Sequence, residues 1–397
     1  MTETSAPISR ALRGLRLTYF ARFGGSAFLS LYVNLFYRNL GLSGTQIGAL
    51  GTIAAISSLL AAPNWGRLSD HTGRPRRLLQ AAMLASIIAV YLLSRQTVFG
   101  WLALLVAINA MAQAAYDPLC DSMTISLTQG LAYGSIRLFG SLGWAAFVFV
   151  AGWLIETFGL SFMFVGYISL MSVAALLLLT VPLETGGYQR PAEGRVRLSE
   201  GLRIMLGSPV MRWLLIALAI QQLSYTSILI FEPVFLSDLG AGGLIGLGFA
   251  VAAMIEVPSM LWADRQLKMR GGEGLLRVGE LMGALRALTI VLFPIAPVLI
   301  GGRAIEGFGY AFRQVSTVVL VTRNAPRGLN TTVLALYTTT LTGVMQMIGA
   351  PLAGLAYDHL GAYWLYVFAT AAYLATFAIL WLVFPPRRGL SLGRDAQ

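Results

Sequence analysis

Apolar runs of roughly 20 residues recur from one end of the chain to the other, and they constrain the fold more than any other feature. About 20 apolar residues in an α-helix are enough to cross the hydrocarbon core of a bilayer. Of the 397 residues, 57% are hydrophobic and only 11% are charged, whereas about 25% are charged in an ordinary soluble domain. Strands of a membrane barrel would alternate polar and apolar residues, and the sequence lacks that pattern. It therefore predicts an all-α polytopic membrane protein.

We place twelve predicted spans on these runs, in two sets of six. The first set is 17–37, 45–65, 78–95, 98–119, 136–156 and 160–182, and the second is 209–236, 242–263, 275–297, 299–322, 331–356 and 362–384. The sequence thus predicts an N-terminal six-helix bundle at 1–183 and a C-terminal one at 209–384. A linker at 184–208 joins them, and its stretch LSEGLRIML can form an amphipathic helix on the membrane surface. A tail follows at 385–397.

The two halves resemble each other in sequence. The segment GWLIETFGLSFMFVGYISL of the first half returns as AGLAYDHLGAYWLYVFATA about 200 residues later. Repeated six-helix halves are typical of transporters, whose substrate site lies between the repeats near the bilayer midplane. We therefore expect two pseudo-symmetric bundles with a site at their interface.

Arginine residues predict the orientation. One set of connections holds nearly all of them, whereas the opposite set holds little beyond Arg38 and Arg95. Because positive charge stays on the cytoplasmic side, we expect both termini in the cytoplasm. The predicted location is the cell membrane, inner or plasma, crossed many times.

Other classes of function fit the sequence poorly. The net charge of +11 is scattered among membrane spans, which does not favour a nucleic-acid partner. The single Cys120 leaves no disulfide or Cys/His metal cluster, so we expect neither metal nor cofactor. His71 and His359 both lie at turns between predicted helices, which argues against an enzyme. No signal peptide is expected, and we expect a monomer whose partners are a small solute, protons and the lipid bilayer.

The loop between spans two and three, NWGRLSDHTGRPRRLLQ, concentrates charge in one short turn. Gly73 permits a tight turn, and the Asp70 carboxylate can bind guanidinium or helix N-terminal N–H groups. The loop resembles the signature of the major facilitator superfamily, with matching residues Gly66, Asp70, Gly73, Arg74, Arg76 and Arg77. The resemblance implies a latch between the two bundles; the alternative is a basic loop that only fixes topology.

Ionisable residues inside the predicted spans of the second half are candidates for proton coupling, because such residues are costly in a membrane and usually functional. They are Glu256, Arg286, Arg303 and Glu306. Two carboxylates and two guanidiniums can neutralise one another, and protonation of one carboxylate would release its arginine. The alternative is a fixed set of structural ion pairs. Arg313 follows on about the same face as Glu306, and Arg277 and Glu280 are interpreted as a surface pair.

The first half holds fewer charges. Asp117 and Asp121 close predicted span four, and Arg137 opens span five, so we expect Asp121 and Arg137 to meet across the hairpin. Trp144 lies two helical turns beyond Arg137 on the same face. An aromatic ring beside such a pair suits a sugar-like ring; the alternative is a structural salt bridge with a packed tryptophan. In span seven, the hydrogen-bonding candidates for the cavity, or for contacts between helices, are Gln221, Gln222, Ser224 and Tyr225.

The segments YGSIRLFGSLGW, LLRVGELMGALRALTI and GGRAIEGFG resemble the branch of the major facilitator superfamily that contains lactose permease, phenylpropionate permeases and nucleoside–proton symporters. The resemblance covers nearly the whole chain. It implies that Asp121, Arg137 and Trp144 bind substrate, that Glu256 and Arg286 match an acid and an arginine of lactose permease, and that Arg303 matches a lysine. The chain departs from that pattern at Glu306 and Gly309, where lactose permease has His and Glu. The proton carrier is therefore expected at Glu306, unless coupling differs altogether.

These features favour proton-coupled symport of a small polar solute by alternating access. Sugar is the first candidate cargo, and a nucleoside or an aromatic acid the next. The alternative is drug–proton antiport in the same fold. Efflux members usually carry a Gly-Pro-rich signature in span five and an arginine in span four, and this chain has neither.

Overall fold

The computed structural model describes residues 5–128, 133–181, 206–325, 333–334 and 336–384. Over these ranges the chain is helical and contains no strand. The helices of the first half are α1 (Ser5–Ser30), α2 (Val33–Asn39), α3 (Gly44–Thr72), α4 (Pro75–Leu93), α5 (Phe99–Gln113), α6 (Tyr116–Thr128), α7 (Tyr133–Phe158) and α8 (Phe162–Leu177). Those of the second half are α9 (Pro209–Asp238), α10 (Ile245–Leu292), α11 (Ala296–Arg323), α12 (Thr342–Leu360) and α13 (Ala362–Val383), and a π-helical segment, Leu336–Leu341, leads into α12.

Local sequence signals set several helix ends. At the start of α3, the Ser43 hydroxyl accepts a hydrogen bond from the Gln46 N–H, and the Gln46 side chain accepts one from the Ser43 N–H, which satisfies two donors left open at a helix N-terminus. Gly73 ends α3 with φ +62°, a left-handed conformation that glycine adopts without strain. Pro75 then starts α4, where a missing N–H costs nothing. The tight turn predicted at Gly73 is confirmed.

The segment Ile245–Leu292, labelled α10, consists of two helices joined at a kink, and it covers predicted spans eight and nine. Its course bends at Gly271, whose φ of +70° and ψ of 169° are not helical. The bend divides α10 into a first arm, 245–270, and a second arm, 272–292. The connection between these predicted spans, 264–274, is therefore helical except at Gly271.

The predicted end of span four at residue 119 is wrong. After a turn at Ala114 and Ala115, helix α6 continues to Thr128. Asp117 and Asp121 consequently lie inside a helix and do not close it. Most of the linker 184–208, including its predicted amphipathic helix, lies outside the described residues, as does the tail 385–397.

Eight helical stretches of the described chain are long and apolar enough to cross a membrane. They are Gly44–Thr72, Pro75–Leu93, Phe99–Thr128, Tyr133–Phe158, Phe162–Thr180, Pro209–Asp238, Gly242–Leu292 and Ala362–Val383. The stretch Gly242–Leu292 alone covers two predicted spans. The chain is a multi-pass membrane protein.

The two halves of the chain meet backbone to backbone at one end of the molecule. We call this the distal end; it carries the turns at 40–43, 94–98, 239–244 and 293–295, and the opposite, terminal end carries the start of α1 and the end of α13. A Cβ on Gly354 of α12 would lie 2.2 Å from the Gly44 carbonyl oxygen of α3, and a Cβ on Gly246 would lie 2.4 Å from the Gly152 Cα. Glycine is therefore required for this close approach.

An acid of α12 closes the same junction. Asp358 accepts hydrogen bonds from the Gly44 N–H at 2.6 Å and from the Thr45 N–H and hydroxyl at 2.7 Å. These N–H groups belong to the first turn of α3, where a carboxylate also meets the positive end of the helix dipole. Burial raises the pKa of Asp358, but the hydrogen bonds from Thr45 and Gly44 outweigh it and hold the pKa below its ordinary value. Asp358 lies beyond predicted span eleven, so this contact is on the surface of the molecule.

Replacing Asp358 by alanine is expected to shift the molecule toward a state open at the distal end, because a helix cap contributes about 0.5–2 kcal/mol. Asp358→Asn is the intermediate variant: its single amide oxygen can replace only one of the two carboxylate oxygens that accept from Gly44 and Thr45, so a smaller shift is expected. Spin labels at Thr97 and Leu239, in the distal turns of the two halves, report the opening as a longer distance.

Since the closed state lowers the pKa of Asp358, the contact between Asp358 and α3 is complete above the ordinary carboxyl pKa, and it is lost as the pH falls through the lowered pKa. In Asp358→Ala, the distance between the labels should not change as the pH falls through this range. Equal distances in the wild type, Asp358→Ala and Asp358→Asn would contradict the role of Asp358 in closing the distal end.

Candidate functional site

A buried carboxylate of α9, Glu232, binds charged groups from two other helices. Arg286 of the second arm of α10 places Nη2 2.5 Å from Glu232 Oε2, and Arg303 of α11 places Nε 2.7 Å from Oε1. The Tyr366 hydroxyl of α13 donates a hydrogen bond to Oε2 at 2.9 Å. Arg303 Nε and Glu232 Oε1 are close enough to form an ion pair, but their geometry is not that of a hydrogen bond. Neither atom has a hydrogen-bond partner among the described residues. Glu232 thus ties four helices together.

The ion pairs continue to a second carboxylate. Arg286 Nη1 lies 3.5 Å from Glu306 Oε2, and Glu306 Oε1 lies 2.6 Å from Arg313 Nη2. Arg313 Nη1 also donates to the Gly279 carbonyl at 3.0 Å. We call Glu232, Arg286, Arg303, Glu306 and Arg313 the charge chain. Its three guanidiniums face two carboxylates, so it carries one excess positive charge when all are ionised.

The charge chain corrects the predicted cluster at one member. Arg286, Arg303 and Glu306 are in it as predicted, but Glu256 is not: it is half-buried, and no basic side chain of the described residues lies within 4.0 Å of it. Its place is taken by Glu232. Glu232 was not among the predicted residues, although its charge inside the apolar run ILIFEPVF was a signal for it.

The predicted surface pair of Arg277 and Glu280 is also wrong. Glu280 has no exposed surface, and Arg277 donates to the backbone carbonyl of Phe384. Both residues lie on the second arm of α10, but Glu280 points into the protein.

In the first half, Asp117 of α6 is the shared partner of two arginines. Arg22 Nη2 of α1 lies 2.6 Å from Asp117 Oδ1, and Arg137 Nη1 of α7 lies 3.7 Å from the same atom. Asp121 instead accepts a hydrogen bond from the Tyr19 hydroxyl at 2.5 Å. The predicted Asp121–Arg137 pair is therefore replaced by Asp117–Arg137, one helical turn away. The side chain of Asp117 is 56% exposed and that of Arg137 is 35% exposed. This set is therefore accessible to solvent, whereas the charge chain is buried.

Trp144 lies on α7 two turns beyond Arg137, as predicted. Its side chain is half-buried and packs against the main hydrophobic core. Gly140 and Gly143 of the same helix contact Phe23 and Phe20 of α1 so closely that a Cβ would clash. The resulting close packing of α7 on α1 holds Arg137 beside Arg22 and Asp117.

A polar cavity of about 240 Å³ borders the charge chain. It is smaller than the roughly 300–1,000 Å³ of drug-sized ligand sites, so it admits a small solute or part of a larger one. The rings of Tyr225 and Tyr310 stack in its wall with centroids 6.0 Å apart. Its lining comes from α9, α11, the π-helical segment and the first residue of α12: Gln221, Gln222, Tyr225, Tyr310, Arg313, Gln314, Thr317, Tyr337, Thr338 and Thr342. Three of the four predicted cavity residues of span seven are among them; Ser224 is not, and its hydroxyl donates to the Ile220 carbonyl of its own helix. Arg313 joins the cavity to the charge chain.

A larger groove of about 410 Å³ lies at the terminal end between α9 and α13. Its walls are Pro209, Val210, Trp213, Ile379, Leu382 and Val383. Lacking any ionisable group, and formed in part by exposed apolar side chains, it fits lipid contact better than recognition of a polar solute.

The loop between α3 and α4 is attached to the first half. Arg76 Nη1 donates to the Val181 carbonyl at 2.7 Å, at the end of the short 3-10 turn that follows α8. Gly66 and Gly73 have open space around them, and Arg74 precedes Pro75 at the start of α4. Asp70 lies in the last turn of α3, and Arg77 lies in the first turn of α4. The predicted latch role of these residues stays a prediction.

Comparisons with known proteins place the chain in a wider group. A family model described as the MFS_1 like family matches residues 12–368. The chain is 30% identical over 334 residues to a maltose permease of Geobacillus stearothermophilus, which covers 81% of this chain and 80% of that protein. It is 23% identical over 365 residues to a putative nucleoside transporter, YegT, of Escherichia coli strain K12, covering 85% and 82%.

Among solved structures, the fold is similar to that of the nucleoside transporter NupG, with a TM-score of 0.80. The match covers 94% of this chain and 99% of that one at 15% sequence identity. At this identity the likeness concerns the fold alone.

Proposed function

The chain belongs to the MFS_1 like family of membrane transporters, and on that premise we propose that it is a proton-coupled symporter of a small polar organic solute. The observation that carries the proposal is the charge chain, whose two buried carboxylates bind three guanidiniums beside a polar cavity. Proton binding at Glu306 would leave Arg313 without its partner, and Arg313 lines the cavity. A proton and a solute thereby act on the same side chain.

We propose a sugar as the first candidate cargo and a nucleoside or aromatic acid as the next. The maltose permease among the relatives supports the sugar, and the putative nucleoside transporter supports the second class. Amide and hydroxyl groups line the cavity, and the first half adds a half-exposed carboxylate–arginine set, with Trp144 two helical turns beyond Arg137. Such groups suit a ring rich in hydroxyls.

We also propose that the chain crosses the membrane twelve times in two six-helix bundles and that both termini lie in the cytoplasm. The proposed location is the inner or plasma membrane of the cell. The distribution of arginines supports this orientation. The distal end then faces outward, and the backbone contacts of Gly44 with Gly354 and of Gly152 with Gly246 close that side. Alternating access requires these contacts to open while the loop at 66–77 engages the second half.

The direction of coupling is tested in proteoliposomes with an imposed inward proton gradient. We expect labelled maltose, or one of a panel of monosaccharides, nucleosides and aromatic acids, to accumulate above equilibrium, and a protonophore to abolish the accumulation. Proton-driven expulsion would support drug–proton antiport instead. Absence of flux for the whole panel would reject the symporter.

Replacing Trp144 by alanine is expected to weaken binding of the transported solute by up to about tenfold, because an aromatic contact contributes about 0.5–1.5 kcal/mol beyond its buried area. Trp144→Phe is the matched control, since it keeps a ring on α7. Solute affinity is measured by competition with a labelled substrate in membranes. Unchanged affinity in Trp144→Ala would assign Trp144 to packing alone.

A further inference from the structure

Glu280, on the second arm of α10, is a buried acid that the charge chain does not use. Its side chain has no exposed surface. Neither carboxyl oxygen has a hydrogen-bond partner among the described residues. An ionised carboxylate in such a place loses its hydration without replacement, so the group is held as the neutral acid.

Arg313 passes through a slot between two glycines, one of which, Gly279, is the chain neighbour of Glu280. A Cβ on Gly279 would lie 2.8 Å from Arg313 Cγ, and a Cβ on Gly309 would lie 2.9 Å from Arg313 Nη1. Nη1 donates to the carbonyl of Gly279, the residue before Glu280, while Nη2 holds Glu306. The remaining donor, Nε, is buried and has no partner among the described residues. Arg313 therefore has a free donor while its other nitrogens join Glu306 to the backbone next to Glu280.

The surroundings of Glu280 contain few other charges. Helix α11 contributes Arg313 and Glu306, α13 contributes Tyr373, and the segment before α12 contributes Tyr337. On α10 itself, Arg277 lies one turn away and is engaged by the Phe384 carbonyl, and Tyr225 of α9 faces Arg313. Arg313 is the cation in position to respond to a charge on Glu280.

Resting on the proposed symport, we propose that Glu280 is a proton-binding site of the transport cycle: it carries a proton in this state, and on losing that proton it draws Arg313 away from Glu306. The proton passes from the carboxyl oxygen to water in the cavity that Arg313 lines, and no electrons are transferred. The carboxylate that remains binds Arg313 Nε. Ionised Glu280 supplies a third negative charge, which balances the three guanidiniums of the charge chain. The protonation state of Glu280 thereby determines whether Arg313 can bind the solute.

Infrared spectroscopy of the purified protein tests the bound proton without any solute. At about pH 7 an ordinary glutamate, with a pKa of about 4.3, is ionised. We expect the wild type to show a protonated-carboxyl band that Glu280→Gln lacks and that Glu280→Asp retains. The matched control is Glu273→Gln on the same arm, whose acid is partly exposed and lies 3.8 Å from Arg323; it should keep the band. Equal carboxyl bands in wild type and Glu280→Gln would overturn the proposal.

Transport tests the role of that proton in the cycle. In proteoliposomes, proton-driven accumulation of maltose by Glu280→Gln is expected to fall by about tenfold or more, within the range of ordinary coupling between two sites. Exchange of maltose without a gradient should persist. Full accumulation by Glu280→Gln would remove Glu280 from the cycle. A wild type that moves no maltose would count against the sugar symporter, while the infrared band would still decide whether Glu280 holds a proton.

Discussion

Replacing Glu232 by alanine is expected to lower the free energy of unfolding by about 3–5 kcal/mol, the cost of removing one partner of a buried ion pair. Arg286 and Arg303 both bind this carboxylate, and both are buried. Their guanidiniums cannot lose their charge in a protein, so the variant must hold uncompensated charge in the interior. This is the largest stability effect that the charge chain predicts.

The measurement is thermal or denaturant unfolding of the purified protein in detergent. Glu256→Ala is the matched control, since it removes the same acid from a half-buried site without an ion pair among the described residues, and it should cost far less. Tyr366→Phe removes a single hydrogen bond to the Glu232 carboxylate, which is worth about 1.5–3 kcal/mol. Equal losses in Glu232→Ala and Glu256→Ala would show that the charge chain does not stabilise the fold.

Replacing Glu306 by glutamine is expected to abolish proton-driven accumulation, so that the inside and outside concentrations of solute become equal. Glutamine can still accept a hydrogen bond from Arg313, but it cannot bind and release a proton. Movement of solute down its own gradient, and exchange between the two sides, should persist because the polar cavity keeps its lining. The loss is therefore specific to coupling.

The experiment compares accumulation with exchange in the same proteoliposomes. Glu256→Gln serves as the comparison, because the resemblance to lactose permease also assigns an acid to that position. If Glu256→Gln loses accumulation while Glu306→Gln retains it, the proton carrier lies outside the charge chain. If Glu306→Gln and Glu280→Gln both lose it, the two carboxylates belong to one pathway joined by Arg313.

The residues that carry the symporter proposal were visible in the sequence to different degrees. Arg286, Arg303 and Glu306 stood out because a charge inside an apolar run is rare, and Gly73 because a turn between two helices needs its conformation. Glu280 was interpreted as part of a surface pair, and Glu232 was not among the predicted residues. Their burial could not be read from the sequence, because depth in the protein depends on where a helix begins and how its neighbours cover it.

The pairing of charges could not be read from the sequence at all. Asp117 and Asp121 are one turn apart, so each is a plausible partner for Arg137, and only the packing of α7 on α1 through Gly140 and Gly143 decides for Asp117. Glu232 and Arg286 are 54 residues apart, and the kink at Gly271 helps to set the course of the arm that carries Arg286.

The sequence by itself determined the class of the protein, the approximate positions of its helices and the sites of its unusual charges, because hydropathy and charge act locally along a chain that must shield its backbone from lipid. Only the tertiary structure decided which acids meet which arginines, which carboxylate remains without a partner, and which end of the molecule is closed. Those outcomes depend on helix rotation and on distances of a few ångströms between segments far apart in sequence.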